Sequence, residues 1–249
     1  MLKRDKLQII GKWYPNAVTT IDNINRVIDY FEDELLVETN NVMFADCICS
    51  DDVNSIQFPI RAKEFLGPFK LGGLSGFPFA GLSGMAAYSS HVPENGAAFI
   101  YYGPHIGITK EGVLGEINRH GQLHNSACCG ASIGALNNLT NQKIQPGFMQ
   151  DLDYQINTIE QIILQDDERI LKAKTPIFEA TEVIYEAIDQ RINELVEKTN
   201  FNCRYIVLNG GVMINSDTDM GSFTSNKRFD IIEVATGKRS SCLDFLNLV

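Results

Sequence analysis

Hydrophobic positions recur at helical spacing in three parts of the chain. Residues 18–38 carry apolar side chains three and four positions apart with acidic residues between them, which predicts an N-terminal amphipathic helix. The same spacing over 150–198 predicts a pair of acidic helices. The second begins at Thr175-Pro176, where threonine would cap the helix and proline would take its first position. A further helix is predicted to open at Gly130.

Short continuous apolar runs lie between these helices and predict buried strands. The first two are 42–49 and 97–102, and the C-terminal segment 204–249 supplies late strands at 205–208 and 229–234. Strands that are separated by helices indicate an α/β protein with a central sheet. No stretch rich in Pro, Gly and Ser divides the sequence, so we expect one domain over 1–249.

Composition narrows the class of protein. The 249 residues are 44% hydrophobic and 21% charged, which is typical of a soluble globular protein and excludes wholesale disorder. Asp and Glu number 31 against 21 Lys and Arg, for a net charge of -10. An acidic surface disfavours nucleic acids and anionic lipids, so neither partner is expected. No apolar run approaches the roughly 18–20 residues that span a bilayer.

The cysteine pattern bears on the compartment. Two close pairs and two single cysteines make a poor disulfide framework in a chain of this length, so free thiols and a reducing compartment are expected. We take this as the cytoplasm, with an organelle as the alternative. The N-terminus has charge but no apolar segment behind it, so no secretory signal is expected. The cysteines are Cys47, Cys49, Cys128, Cys129, Cys203 and Cys242.

Cysteines and histidines gather in the first half of the chain. All four histidines lie between positions 91 and 124, and four of the six cysteines lie between 47 and 129. Thiolates together with an imidazole suit zinc, and two sulfurs with one nitrogen leave a fourth position open, as in catalytic sites. Ligands of α/β sheets bind where strands end, and both Cys49 and His105 come just after a predicted strand.

The same residues also admit plainer interpretations. Cys47 and Cys49 share one face if the strand continues through both, and either can be a buried core residue without a metal. The glycine-rich stretch 66–90 lacks a phosphate-binding signature, which favours tight turns around a small pocket over nucleotide binding. A turn or a solvated loop is the default for three histidines: His91, His120 and His124.

Several motifs, taken in their order along the chain, carry a resemblance. The most specific combination is Gly103-Pro-His-Ile-Gly107 followed by Ser126-Ala-Cys-Cys-Gly-Ala131. With the other segments, the sequence resembles the limiting-CO2-inducible B/C protein family, a group related to β-type carbonic anhydrases. The resemblance covers about residues 45–135 and extends to 210–215. The other segments are Cys49–Asn54, Gly72–Gly81, Ser90–Gly96 and Arg119–Gln122.

The resemblance implies a β-carbonic-anhydrase-like α/β domain, usually a homodimer, with its zinc site in 42–135. It implies that Cys49, His105 and Cys129 hold Zn2+. The adjacent Cys128 leaves a one-residue alternative. The implied reaction is the reversible hydration of CO2 to bicarbonate by zinc-bound hydroxide.

Related enzymes also use an Asp–Arg pair. The acid would be Asp51, but the position two residues later, where those enzymes carry arginine, is Val53 here. We expect Arg119 to be the partner and Arg61 to be the second choice. A paired Asp51 would be held off the fourth zinc position and would accept a hydrogen bond from zinc-bound hydroxide. An unpaired Asp51 would put activity in doubt.

The resemblance leaves the surroundings of the site and three rival functions open. Aromatic and aliphatic side chains of the glycine-rich stretch are expected to wall a small pocket, with a histidine close by, and two later histidines could shuttle protons. The rivals are a catalytically silent zinc- or bicarbonate-binding subunit, a different zinc hydrolase, and a protein with no metal. Helices 150–198 could form a dimer interface or cover the sheet. The pocket residues are Phe77, Phe79, Leu82, Tyr88 and His91; the shuttle candidates are His120 and His124.

Overall fold

A mixed, mostly parallel sheet with helices on both faces forms the centre of the fold. The computed structural model describes residues 3–54, 58–217 and 221–247. The helices are α1 (Lys3–Ile10), α2 (Thr20–Asp29), α3 (Gly81–Ser89), α4 (Gly130–Thr140), α5 (Tyr154–Gln165), α6 (Asp167–Lys172), α7 (Pro176–Glu197) and α8 (Leu243–Asn247). The strands are β1 (Val18–Thr19), β2 (Val42–Cys47), β3 (Leu66–Lys70), β4 (Ala97–Tyr102), β5 (His105–Ile108), β6 (Glu116–Ile117), β7 (Ser126–Ala127), β8 (Tyr205–Ser216), β9 (Phe223–Glu233) and β10 (Lys238–Ser241).

The long strand β8 connects the parallel and antiparallel parts of the sheet. The strand order is β1-β9-β8-β4-β2-β3, with β10 added to β9 and β5 added to β8. β2, β3, β4 and β5 run parallel to their neighbours, whereas β9 runs antiparallel to β8. The carboxyl ends of β2 and β4 therefore lie side by side at one edge of the sheet.

β4 and β5 both pair with β8 and are separated by two residues. Tyr102 pairs with Gly210, and His105 resumes the pairing at Met213. Gly103 occupies the break at φ 146°, where a Cβ atom would lie 1.8 Å from the carbonyl oxygen of Gly211. Only glycine tolerates such an approach, so this break just before His105 requires a glycine at position 103.

Burial on both faces explains the continuous apolar runs. All six residues of β4 are buried. Phe99 and Tyr101 pack in the core that contains Ile28 of α2, and the alternate residues Ile100 and Tyr102 pack in the core that contains α7. Strands covered on both sides carry apolar residues at every position instead of every second one.

The predicted elements are found with shifted bounds. The helix expected over 18–38 is α2 followed by a π-helical turn at Tyr30–Glu34, and the strand expected over 42–49 ends at Cys47. Over 150–198 the structure has α5, α6 and α7. Thr175 occupies the N-cap position of α7, but its side chain makes no capping hydrogen bond. None of the described helices is long and apolar enough to cross a membrane.

Candidate metal centre

Two cysteines and one histidine meet at the edge where the parallel strands end. Cys49 lies two residues after β2, His105 follows the break after β4, and Cys129 directly precedes α4. All three are buried, and their potential ligand atoms lie within 4.8 Å of one another. The two Sγ atoms are 4.0 Å apart. This group, called here the Cys49–His105–Cys129 group, could hold a metal ion.

The glycine-rich loop packs over this group and also contacts Cys47. Gly76 has φ 81°, and a Cβ atom there would lie 2.2 Å from the Gly103 carbonyl oxygen and 3.4 Å from the Cys49 nitrogen. Cys47 lies in the core on the α7 side and donates its thiol hydrogen to the Gly76 carbonyl oxygen at 3.2 Å. Burial raises the pKa of the Cys47 thiol well above its usual value. Cys47 is therefore a core thiol outside the group.

Asn215, from the end of β8, orients the histidine. His105 Nδ1 and Asn215 Oδ1 are 2.7 Å apart, and the Asn215 amide nitrogen donates to the Val53 carbonyl oxygen at 3.1 Å. The second bond fixes the amide so that its oxygen faces His105, and Nδ1 is then the donor. Nε2 is buried and has no hydrogen-bond partner among the described residues. A metal ion would satisfy this otherwise orphaned nitrogen.

The charges in the group favour a cation. The hydrogen bond between the two thiols lowers the pKa of Cys129 well below its usual value and raises the pKa of Cys49. Burial, the largest single influence, lowers the pKa of His105, but the negative charge of Cys129 together with the neighbouring sulfurs of Cys128 and Cys49 outweighs it and raises that pKa well above the usual range. The group thus favours negative charge on Cys129, and binding a divalent ion would release the protons that remain on the ligands.

Asp51 and Arg119 form a bidentate ion pair beside the group. Arg119 Nη1 donates to Asp51 Oδ1 at 2.8 Å, and Nη2 donates to Oδ2 at 2.9 Å. Arg119 Nη1 also bonds to Asp52, and Nε donates to Ser126 Oγ at 3.1 Å. Burial, the largest single influence, would raise the pKa of Asp51, but the hydrogen bonds from Arg119, together with Asp52, His105 and the Val53 amide, outweigh it and hold this pKa well below its usual range. Asp51 is therefore ionised and fixed in direction.

The second-choice partner, Arg61, is used elsewhere. It donates to Asp29 at 2.6 Å and to Glu32 at 2.8 Å, joining the 3₁₀ helix Ile60–Glu64 before β3 to the end of α2 and its π-helical turn. The structure thus places Arg119, and not Arg61, on Asp51.

A cavity of about 290 Å³ lies next to the ion pair. Arg119 and Asn215 line this cavity. Arg119 contacts Asp51, and Asn215 contacts His105. His120 also lines it with an exposed side chain, which leaves this shuttle candidate in place. His124 is exposed in the same loop but is not among the residues that line the cavity.

The structure places three of the predicted pocket residues away from the Cys49–His105–Cys129 group. The Tyr88 hydroxyl donates to the Met43 carbonyl oxygen at 2.8 Å, near the start of β2 and so at the opposite end of that strand from Cys49. His91 is exposed and bonds to the Ala87 carbonyl oxygen, and Leu82 is half-exposed on the surface of α3. The cause is α3, which carries this part of the stretch away from the site.

Phe77 and Phe79 remain predicted pocket residues. They directly follow the loop over the group and pack on each other, with ring centroids 5.1 Å apart. Phe79 also makes an edge contact with Tyr154 of α5.

Two polar residues at the group were not singled out from the sequence. Asn215 ends a segment of the family resemblance, but its contact with His105 spans 110 residues of chain. Ser75, in the glycine-rich loop, has its Oγ 3.7 Å from Cys129 Sγ. A search of the sequence for metal ligands looks for Cys, His, Asp and Glu, so it would not select an asparagine or a serine.

Replacing Asn215 with alanine is expected to weaken zinc binding about 10–100-fold, because His105 loses the acceptor that holds its ring and tautomer. Competition with a chromophoric chelator measures this. The matched control is Asn215→Asp, which keeps an oxygen acceptor for Nδ1 and should bind zinc more tightly than the alanine variant. Wild-type affinity in Asn215→Ala would contradict this role.

Comparisons with known proteins identify the family. The model of the family described as limiting CO2-inducible proteins B/C beta carbonic anhydrases matches residues 18–233. Because the match spans most of the chain, this protein belongs to that family, and the resemblance found in its motifs is confirmed. No curated protein sequence matched.

Solved structures of the same family share the fold. The crystal structure of PtLCIB4, a homolog of the limiting CO2-inducible protein LCIB, is similar with a TM-score of 0.80 and 25% identity over 94% of this chain and 98% of that one. The structure of LCIB itself has a TM-score of 0.69 and 20% identity over 92% and 95% of the two chains. The predicted α/β fold with helices around a central sheet is confirmed.

Proposed function

We propose that this member of the family is a zinc-dependent carbonic anhydrase that interconverts CO2 and bicarbonate. The observation that carries the proposal is the bidentate Arg119–Asp51 pair beside the Cys49–His105–Cys129 group. A metal site retained only for folding would have no need of an ionised carboxylate held in a fixed direction next to it.

Zinc suits the donor set, which consists of two sulfurs and one imidazole nitrogen. Cys49, His105 and Cys129 would hold it, and the family name and the orphaned Nε2 of His105 both fit this assignment. When bound, zinc supplies a Lewis acid that makes water nucleophilic near neutral pH.

Asp51 has two tasks in this proposal, and Arg119 makes both possible. The guanidinium engages both carboxylate oxygens, so Asp51 cannot swing away to serve as a further metal ligand. Its remaining lone pairs can accept a hydrogen bond from the attacking water and orient it toward CO2. Because Asp51 is ionised well below neutral pH, it stays an acceptor throughout the working range.

The cavity provides for substrate and proton movement. Its volume of about 290 Å³ exceeds what CO2 or bicarbonate needs, and Val53 and Ile117 add apolar wall to the polar end at Arg119. His120 lines the cavity with an exposed side chain, and in this proposal it carries the released proton to solvent. We also propose that the protein is a homodimer located in the cytoplasm.

The test is stopped-flow CO2 hydration on purified protein of measured zinc content. We expect rapid hydration at about one zinc per chain, lost on chelation and restored by added zinc. Full zinc occupancy without hydration would overturn the proposal and favour a silent zinc- or bicarbonate-binding subunit.

A further inference from the structure

Ser75 is a buried serine in an unusual backbone conformation, within the loop that covers the metal centre. Its side chain is fully buried, and its φ and ψ are 54° and 11°, in the left-handed region. Glycine adopts this region more easily than any residue with a Cβ atom. The loop has glycines on both sides, at Gly73 and Gly76, yet carries a serine here. Such a conformation points to a use for the side chain.

The hydroxyl of Ser75 lies between two partners. Its Oγ is 3.7 Å from Cys129 Sγ and 3.0 Å from Ser132 Oγ of α4. A metal-bound cysteine is a thiolate and has no hydrogen to give. The Ser75 hydroxyl must then donate to Cys129 Sγ, and its oxygen accepts from the Ser132 hydroxyl. The result is a directed chain from Ser132 through Ser75 to the sulfur, in which each bond strengthens the next.

We propose that Ser75 is a positioning residue for the metal centre, whose hydroxyl donates a hydrogen bond to Cys129 Sγ and fixes that sulfur as a ligand. The inference rests on the metal site of the proposed function and deepens it. The hydrogen bond occupies one lone-pair direction of the sulfur and leaves another for the metal. It also withdraws electron density from the thiolate, so the metal receives less charge from this ligand.

Ser75→Gly separates this role from a structural one. The variant removes the hydroxyl and also relieves the left-handed strain, so the metal-free protein should unfold at the same or a higher denaturant concentration. We nevertheless expect its zinc dissociation constant to rise about 10-fold, measured by chelator competition. In cobalt-loaded protein, the sulfur-to-cobalt charge-transfer band should move to longer wavelength, because a sulfur without the hydrogen bond is easier to oxidise.

Two further variants are expected to give a partial effect and no effect on the metal centre. Ser132→Ala leaves the Ser75 donor in place but removes the group that polarises it, so its zinc affinity and cobalt band should fall between those of wild type and Ser75→Gly. Ser83→Ala, on the exposed face of α3, controls for loss of a serine and should match wild type. Wild-type zinc affinity and an unshifted cobalt band in Ser75→Gly would overturn the inference. These metal-binding measurements do not involve CO2. If the shifts are found but the protein does not hydrate CO2, the proposed function is refuted and the role of Ser75 still holds.

Discussion

Cys129→Ser is expected to abolish tight zinc binding, and CO2 hydration with it. Serine is nearly the same size but is not a thiolate ligand at neutral pH, so only two protein ligands would remain. The loss in zinc affinity should exceed the roughly 10–100-fold that follows from removing an outer partner of a metal site. Zinc content after gel filtration and stopped-flow hydration measure the two effects on the same sample.

The neighbouring residue offers a matched control. Cys128 is equally buried, but its sulfur lies 3.5 Å from His105 Nδ1 and 3.6 Å from Asn215 Oδ1, on the side of the imidazole opposite Nε2. Cys128→Ser should therefore keep zinc and most of the hydration rate. If Cys128→Ser loses the metal and Cys129→Ser keeps it, the ligand assignment is shifted by one residue.

The meeting of Cys49 and His105 was predictable because parallel strands end at a common edge. Cys49 and His105 each follow an apolar run, and that local pattern is enough to bring them near each other. The choice between Cys128 and Cys129 rested on the family resemblance instead, since adjacent residues look alike to any spacing argument. In the structure Cys129 directly precedes α4 and faces Cys49, whereas Cys128 faces Asn215.

Contacts between distant segments were harder to predict. The Arg119–Asp51 pair spans 68 residues, and motif spacing alone would have placed an arginine at Val53. Tyr88 was predicted to wall the pocket because it lies in the glycine-rich stretch, but α3 turns it toward Met43 and the core. β5 was missed because four residues beginning with histidine and containing Gly107 give no strand pattern; β8 defines the strand by pairing with it.

Arg119→Gln is expected to leave zinc bound and to reduce CO2 hydration by at least about 100-fold, in the range found when a fixed electrostatic partner is removed from an active site. Glutamine cannot offer the two parallel donors that now hold both oxygens of Asp51. The freed carboxylate would become a competing metal ligand and would no longer orient the attacking water. Arg61→Gln is the control, because it also removes an arginine with two acidic partners, but on the surface. It should hydrate CO2 like wild type.

The double variant Asp51→Ala/Arg119→Gln shows whether the arginine acts through the carboxylate. If it does, the effects of the two substitutions overlap, and the double variant should be no slower than Arg119→Gln alone. If the freed Asp51 blocks the metal in Arg119→Gln, the double variant should be faster than Arg119→Gln, because it lacks the blocking carboxylate. Each zinc-loaded variant is compared by kcat and KM for CO2. Additive losses would mean that Arg119 contacts substrate directly instead of holding Asp51, and full activity in Arg119→Gln would remove the pair from the mechanism.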